Sequence, residues 1–304
     1  MRIRHLIPVI ALASVTLASG CAAPDSASPS DNGDADPSAS VGALPKDDAA
    51  AAMLPDDIKS AGVVRVASGV SFPPMEFFDT DNKTVLGFDA DLGRALGEVL
   101  GVEFKFENTN FDGIIGGLNA GRYDLSLTSM IDKKERQGTV DFVDYLSSGV
   151  SFMVQKGNPE SLSEELDLCG KTVAVEKAAT GDLTADDISK KCTDAGETAV
   201  KKQPFPDQAS AVQALQSGRA DAVLALDLTL AYNVKQDPES FEIASKPFGA
   251  LPIGIVVPKD NPELRDAVQA ALLKVIESGT YDELLSKWNL TGQALKGAPI
   301  NQGE

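Results

Sequence analysis

The side chains able to do chemistry here are few in kind, and their scarcity is informative. The single histidine is His5, close to the amino terminus, and the cysteines are Cys21, Cys169 and Cys192. Beyond residue 5 no serine or cysteine nucleophile can be activated by histidine, and zinc sites that use histidine are excluded as well. No Gly-x-x-x-x-Gly-Lys-Ser/Thr segment is present to cradle phosphates. Neither a cofactor nor a resident metal is expected, and the remaining signals are those of recognition. In Phe72-Pro73-Pro74-Met75-Glu76-Phe77 two prolines fix φ and remove two backbone donors, so the chain must leave the preceding Val63 to Ser68 run as a rigid aromatic loop. That loop reads as the front edge of a ligand cleft. Gly87-Phe88-Asp89-Ala90-Asp91-Leu92 follows as a helix entry, with Asp89 placed to cap N–H groups ahead of Leu92, Leu96, Val99 and Leu100.

The elements that must hold this loop begin after a leader. Arg2 and Arg4 precede an apolar run from Leu6 to Leu17 and then Ala18-Ser19-Gly20-Cys21. The run is too short to span a bilayer, and residues 1–20 read as an export signal. Small residues directly before Cys21 point to a lipoprotein, with Cys21 lipidated as the first mature residue; the alternative is an ordinary secretory leader cleaved near Ala22 or Ala23. Residues 21–53 are mostly Ala, Ser, Pro, Asp and Gly, which bury too little apolar surface to order themselves. They read as a disordered tether whose reach is roughly 30 Å. A formal net charge of -18 argues against nucleic acid and against adhesion to anionic lipid, so the lipid would anchor alone. In an oxidising compartment Cys169 and Cys192 are expected to form a disulfide; two free buried thiols are the alternative.

Short β-rich runs alternate with helical patterns along the remaining chain, the signature of an α/β protein with largely parallel sheets. Strands are expected at Val63 to Ser68, Glu103 to Glu107, Asp124 to Thr128, Thr172 to Glu176, Ala222 to Leu226 and Ile253 to Val257. Helices are expected at Ala90 to Leu100, Gly113 to Ala120, Leu183 to Lys191, Ala209 to Ser217 and Glu263 to Ser278. Leu118-Asn119-Ala120-Gly121-Arg122-Tyr123-Asp124 is echoed by Leu215-Gln216-Ser217-Gly218-Arg219-Ala220-Asp221, each a helix end, a glycine and a strand entry. Two extended stretches, Gly149 to Gln155 and Phe248 to Val257, read as paired crossings between two lobes of like architecture. One lobe would combine 54–150 with 252–295, the other would be 151–251, and 296–304 would be a tail.

From about Gly62 to Trp288 the chain resembles the polar amino-acid solute-binding proteins that serve ABC importers, the family 3 type. The resemblance rests on the opening loop and helix entry, on Phe111-Asp112-Gly113-Ile114-Ile115, on Asp132-Lys133-Lys134-Glu135-Arg136 with Val140-Asp141-Phe142, and on Gly279-Thr280-Tyr281-Asp282-Glu283-Leu284 with Lys287-Trp288. It implies a two-lobe periplasmic-binding-protein-like fold of type II with a hinge between lobes. It also implies a role for Arg136, whose guanidinium would hold a ligand carboxylate by two parallel N–H bonds; read alone, Arg136 would be a solvated charge at a helix start. By the same analogy Ser129 and Thr180 with Gly181 are supporting anion donors, and Phe72 and Phe111 are apolar walls. The chain departs from the family where a carboxylate or hydroxyl often meets the ligand's amino group: Gly69, Leu226 and Ile131 stand there, and Asp227 comes one position late. Glu176 stands where the family is often apolar and is the candidate to supply the missing negative charge.

The expected protein is an extracytoplasmic solute-binding protein, lipid-anchored at the outer face of the cytoplasmic membrane and monomeric. It would bind an amino acid or related carboxylate by lobe closure and deliver it to a permease, performing no covalent chemistry. The alternative is an enzyme on the same fold, a cyclohexadienyl-type dehydratase with Glu176 as its acid.

Overall fold

The computed structural model describes residues 42–304, so the expected leader, Cys21 and most of the tether lie outside the described residues. Helices α1 (Asp48–Ala52) and α2 (Asp56–Ala61) lead into β1 (Val63–Ser68), the hairpin β2 (Phe77–Phe78) and β3 (Val85–Leu86), then α3 (Phe88–Leu100), β4 (Glu103–Asn108), α4 (Ile114–Asn119) and β5 (Leu125–Ser126). The 16-residue strand β6 (Val140–Gln155) carries the chain into β7 (Thr172–Glu176), α5 (Thr180–Asp194), β8 (Lys201–Phe205), α6 (Gln208–Gln216), β9 (Ala222–Leu226), α7 (Asp227–Gln236) and β10 (Phe241–Ile243). β11 (Phe248–Pro258) returns, and α8 (Pro262–Glu277) and α9 (Thr280–Lys287) follow.

The main sheet runs β4-β1-β5-β11-β6-β9-β7-β8, with β10 paired to β6. At one end β1 lies parallel to β4 and β5, and at the other β7 lies parallel to β8 and β9. Each end is a parallel unit with helical crossovers, as the alternating pattern requires. The sequence echo has a shared geometry: Asp124 accepts from the Arg65 N–H at 2.7 Å and Asp221 from the Thr172 N–H at 2.7 Å, so each aspartate ties a strand to its neighbour.

The two ends are joined by β6 and β11, antiparallel from Val140 opposite Pro258 to Val150 opposite Phe248. These are the expected crossings, although the first begins at Val140 rather than Gly149. Their register slips between Phe248 and Leu251 and again between Ile253 and Gly254. Gly149 sits beside the first slip, where a Cβ would stand 2.9 Å from the Pro247 Cβ and 3.1 Å from the Phe248 carbonyl oxygen. Only a residue without a side chain lets the strands approach so closely there. The result is the expected two-lobe α/β arrangement with its hinge at the crossing.

Helical periodicity decides how the first unit packs. Leu92, Leu96, Val99 and Leu100 fall on one face of α3, and Leu264, Val268, Leu272 and Val275 on one face of α8; all join one apolar cluster. Each such side chain contributes about 1.5–3 kcal/mol by leaving water, so this helix pair is a main anchor of the unit.

Three expectations are corrected. The tether read as 21–53 ends early, because Asp48–Ala52 form α1, Ala50 and Leu54 are buried, and the Leu44 N–H bonds Glu98 at 2.7 Å. Alanine-rich sequence that looks featureless alone becomes helix when an apolar surface covers it. Asp89 is not a helix cap: α3 begins at Phe88 behind Gly87, and no side chain caps it. The residues after 295 are not a loose tail. Ile300 bridges Val143, the Asp144 N–H bonds the Pro299 carbonyl at 2.9 Å, and the Gly303 N–H bonds Asp132 at 2.7 Å. Cys169 and Cys192 are bonded, their Cα atoms 5.6 Å apart, fastening the turn before β7 to the end of α5.

Candidate functional site

Strand ends from both units converge on a narrow cavity whose lining residues are mostly buried. Gly69, Phe72 and Glu76 reach it from the segment after β1, Phe111 from the turn before α4, and Thr128 and Ser129 from the segment after β5. Facing them are Glu176 at the end of β7, Thr180 and Gly181 opening α5, Gln208 opening α6, and Leu224 to Leu226 at the end of β9.

The aromatic loop is held by its own backbone. The Phe72 N–H bonds the Glu76 carbonyl at 2.8 Å and the Met75 N–H bonds the Phe72 carbonyl at 2.9 Å, so the prolines sit in a closed turn with Phe72 on the cavity wall. Behind it lies a buried polar network. Thr128 accepts from the Gly69 N–H at 2.9 Å and donates to Glu76 at 2.9 Å. Asp89 accepts from the Tyr145 hydroxyl at 2.7 Å and from the Ser129 N–H at 2.9 Å. Asp89 thus fixes the segment after β5, which explains why it is unavailable as a cap.

Burial, then the neighbouring Asp89 charge, push the Glu76 carboxyl well above the ordinary range. Burial raises Asp89 to about 6 against the hydrogen bonds of Tyr145, Glu76 and Ser129. Two buried carboxyls in contact share a proton more readily than they both ionise.

On the facing wall, Gly181 is required by contact: a Cβ there would stand 2.0 Å from the Leu224 carbonyl oxygen. This close approach brings the amino terminus of α5 to the cavity, and Ala179, its N-cap, supplies no side-chain cap. The positive end of a helix with unpaired N–H groups favours an anion. Glu176 is buried beside it, and burial, followed by the charges of Asp207 and Asp112, raises its carboxyl to about 8.

Of the residues singled out in the sequence, Phe72, Phe111, Ser129, Glu176 and Thr180 share this cavity. Arg136 stands just behind the wall. Its guanidinium lies 5.6 Å from the centre of the Phe111 ring and donates to the Ile131 carbonyl at 2.8 Å and to the Ala178 carbonyl at 3.0 Å. Burial lowers it to about 10, still charged at neutral pH. Arg136 is not the solvated surface residue that its charged sequence neighbours imply. Asp227 is not on the wall: as the first residue of α7 it accepts a hydrogen bond from the Ser148 hydroxyl at the crossing, and Leu226 takes the lining position. A strand end turns successive side chains to opposite faces, so the one-residue offset decides this. Glu76, Thr128 and Gln208 are lining residues that the sequence reading did not select. Glu76 and Thr128 adjoin residues that were selected, whereas nothing in the sequence marks Gln208. Among the described residues no group of three or more His, Cys, Asp or Glu is arranged to hold a metal.

Residues 64–291 match the family described as bacterial extracellular solute-binding proteins, family 3. The chain is 30% identical over 254 residues to the arginine-binding protein ArgT of Corynebacterium glutamicum, covering 83% of this chain and 82% of that protein. It is 28% identical over 236 residues to the L-cystine-binding protein TcyJ of Escherichia coli, covering 77% and 85%. A crystal structure of a variant of ArgBP from T. maritima superposes with a TM-score of 0.71 at 34% identity, covering 77% of this chain and 98% of that one. An ancestral amino acid-binding protein described as a precursor of cyclohexadienyl dehydratase superposes at 0.69 with 32% identity, covering 77% and 98%.

Proposed function

The chain belongs to the bacterial extracellular solute-binding proteins of family 3, and on that premise we propose that it captures an amino acid or related carboxylate outside the cell membrane and presents it to an ABC permease. The observation that carries this reading is the cavity itself, which draws one wall from each unit of the sheet beside the β6/β11 crossing. Most residues lining the cavity are buried, so a solute enters by parting of the lobes at the crossing and is held by closure around it. Closed walls bury the solute between Phe72 and Phe111, and closure offers the permease a surface composed of both lobes.

Arg136, Ser129 and the amino terminus of α5 are the groups that receive the carboxylate. Two of the five guanidinium N–H groups are used by carbonyls of the protein, leaving three donors for a carboxylate. The lobes divide as 54–150 with 252–295 against 151–251, extended by α1 and the docked carboxyl-terminal segment. The protein acts as a monomer, held to the membrane by lipid on Cys21; no helix among the described residues is long and apolar enough to cross a membrane. It carries out no covalent chemistry and uses no cofactor.

A thermal-shift screen of the twenty amino acids with citrulline, ornithine and cystine tests this. A solute at 100 times its Kd stabilises by about 2.7 kcal/mol, and no shift with any of them would sink the reading. The second reading, a dehydratase, draws on the raised carboxyl of Glu176. Incubation with prephenate and arogenate decides it by product formation.

A further inference from the structure

The wall formed by β7 and α6 carries polar groups that the protein leaves unanswered. Glu176 is 5% exposed and lines the cavity, and its carboxyl receives no hydrogen bond or ion pair within the described residues. The charged groups acting on it are acids: Asp207 before α6 and Asp112 in the turn before α4, with Glu76 on the opposite wall. Lys177, next to it in sequence, is turned to Asp112 at 2.7 Å. Gln208 is 2% exposed and lines the same cavity, and its Nε2 has no partner. A buried carboxyl and a buried amide without partners both carry a desolvation cost, which something else must offset.

We infer that Glu176 is the subsite that selects a cationic side chain, so that the solute is a basic amino acid bearing a guanidinium or ammonium group at the end remote from its carboxylate. The inference rests on the reading of this cavity as an amino-acid site and names the substrate class. A neutral solute brings no opposite charge to Glu176, whose neighbours Asp207 and Asp112 oppose its ionised form. A cation removes that penalty, because an opposite charge within a few ångströms favours the carboxylate. Phe72 and Phe111 suit the apolar stem between the two charged ends. Arg136, on the segment after β5, and Glu176, on β7, then hold opposite ends of one molecule from the two lobes, so a basic amino acid closes them and a shorter zwitterion bridges them less well.

Arginine and citrulline separate this from its rivals, since they are nearly isosteric and differ in the charge of the terminal group. Calorimetric titration of the purified protein is expected to show L-arginine or L-lysine binding about tenfold or more tighter than L-citrulline and L-glutamine. Glu176→Gln is expected to weaken the basic probes by about that factor while moving citrulline little. Glu176→Asp is expected to keep the order of preference with lower affinity. Titration of arginine at pH 7 in buffers of high and low ionisation enthalpy is expected to show proton release from the wild type and none from Glu176→Gln, with thermal melts confirming that the variants fold. Equal affinity of the wild type for citrulline and arginine, or an undiminished preference in Glu176→Gln, overturns the inference while leaving the amino-acid site standing. Failure of every amino acid to bind overturns both.

Discussion

The Arg136 guanidinium donates to the Ala178 carbonyl at 3.0 Å, joining the segment after β5 to the segment between β7 and α5. One side chain therefore belongs to both walls of the cavity. The stack on Phe111 and the bond to the Ile131 carbonyl fix its other face. A cation this enclosed is worth its desolvation only where acceptors surround it, and in the proposed reading a solute carboxylate is the further acceptor.

Arg136→Ala is expected to weaken arginine binding by roughly 2 to 5 kcal/mol, as for a truncated buried charge pair. Loss of the bonds to the buried Ile131 carbonyl and the half-buried Ala178 carbonyl also lowers stability, by roughly 1 to 3 kcal/mol. Arg136→Lys is expected to bind poorly too, because an ammonium cannot reproduce the planar fork. Titration calorimetry beside a denaturant melt separates the two effects; wild-type affinity in a folded Arg136→Ala protein would remove the carboxylate clasp.

Stability is expected to fall as pH rises from 5 to 8. Burial holds Glu176 at about 8 and Asp144 at about 7, above the ordinary 4.5 and 3.8. Between the ordinary and the raised values the folded chain keeps protons that the unfolded chain has released, so the stability they supply is complete below the window and is lost through it. Glu176→Gln, neutral and nearly isosteric, is expected to melt higher than wild type at pH 8.5 and close to it at pH 4.5. Scanning fluorimetry of the solute-free protein reads both; an unchanged difference across that range contradicts the assignment.

Reduction of the Cys169–Cys192 bond, whose partners are separated by 23 residues, is expected to cost roughly 3 kcal/mol in the chain-entropy account. The expected consequence is a lower melting temperature with solute affinity largely kept, since neither sulfur lines the cavity. Intact mass after alkylation under denaturing, non-reducing conditions checks the bond itself: two modified thiols would show it absent.

Cys21→Ala is expected to release the protein from the membrane fraction, because the apolar run before it cannot span a bilayer. Fractionation and immunoblotting of wild type and variant decide this. Equal membrane retention of the two would exclude lipidation at Cys21 as the anchor.

Local sequence carried much of this molecule. The β1, β7 and β9 spans match their expected limits, and α3, α5, α6 and α8 lie within a few residues of theirs, because apolar periodicity and glycine stops are local properties. β8 was not legible, since Lys201-Lys202-Gln203-Pro204-Phe205 is a polar edge strand containing proline, defined by its parallel pairing with β7. The length of β6 was hidden for a related reason: Ser147-Ser148-Gly149 reads as a break, and only pairing with β11 carries the strand through it.

Residue types and order alone determined the α/β class, the two similar units, the confinement of histidine to position 5 and five of the cavity's lining residues. Tertiary structure decided the rest. It turned Asp89 from a cap into a buried acceptor for Ser129 and Tyr145, moved Asp227 off the wall, and docked the chain's last residues on β6 and the Asp132 turn. It also set Glu176 and Gln208 across from Phe72 and Glu76. Spacing along a chain fixes which face of its own element a side chain occupies, but a cavity wall assembled from β1, β5, β7, β9 and two helix ends exists only when strands distant in sequence pair, and that pairing is a property of the whole sheet.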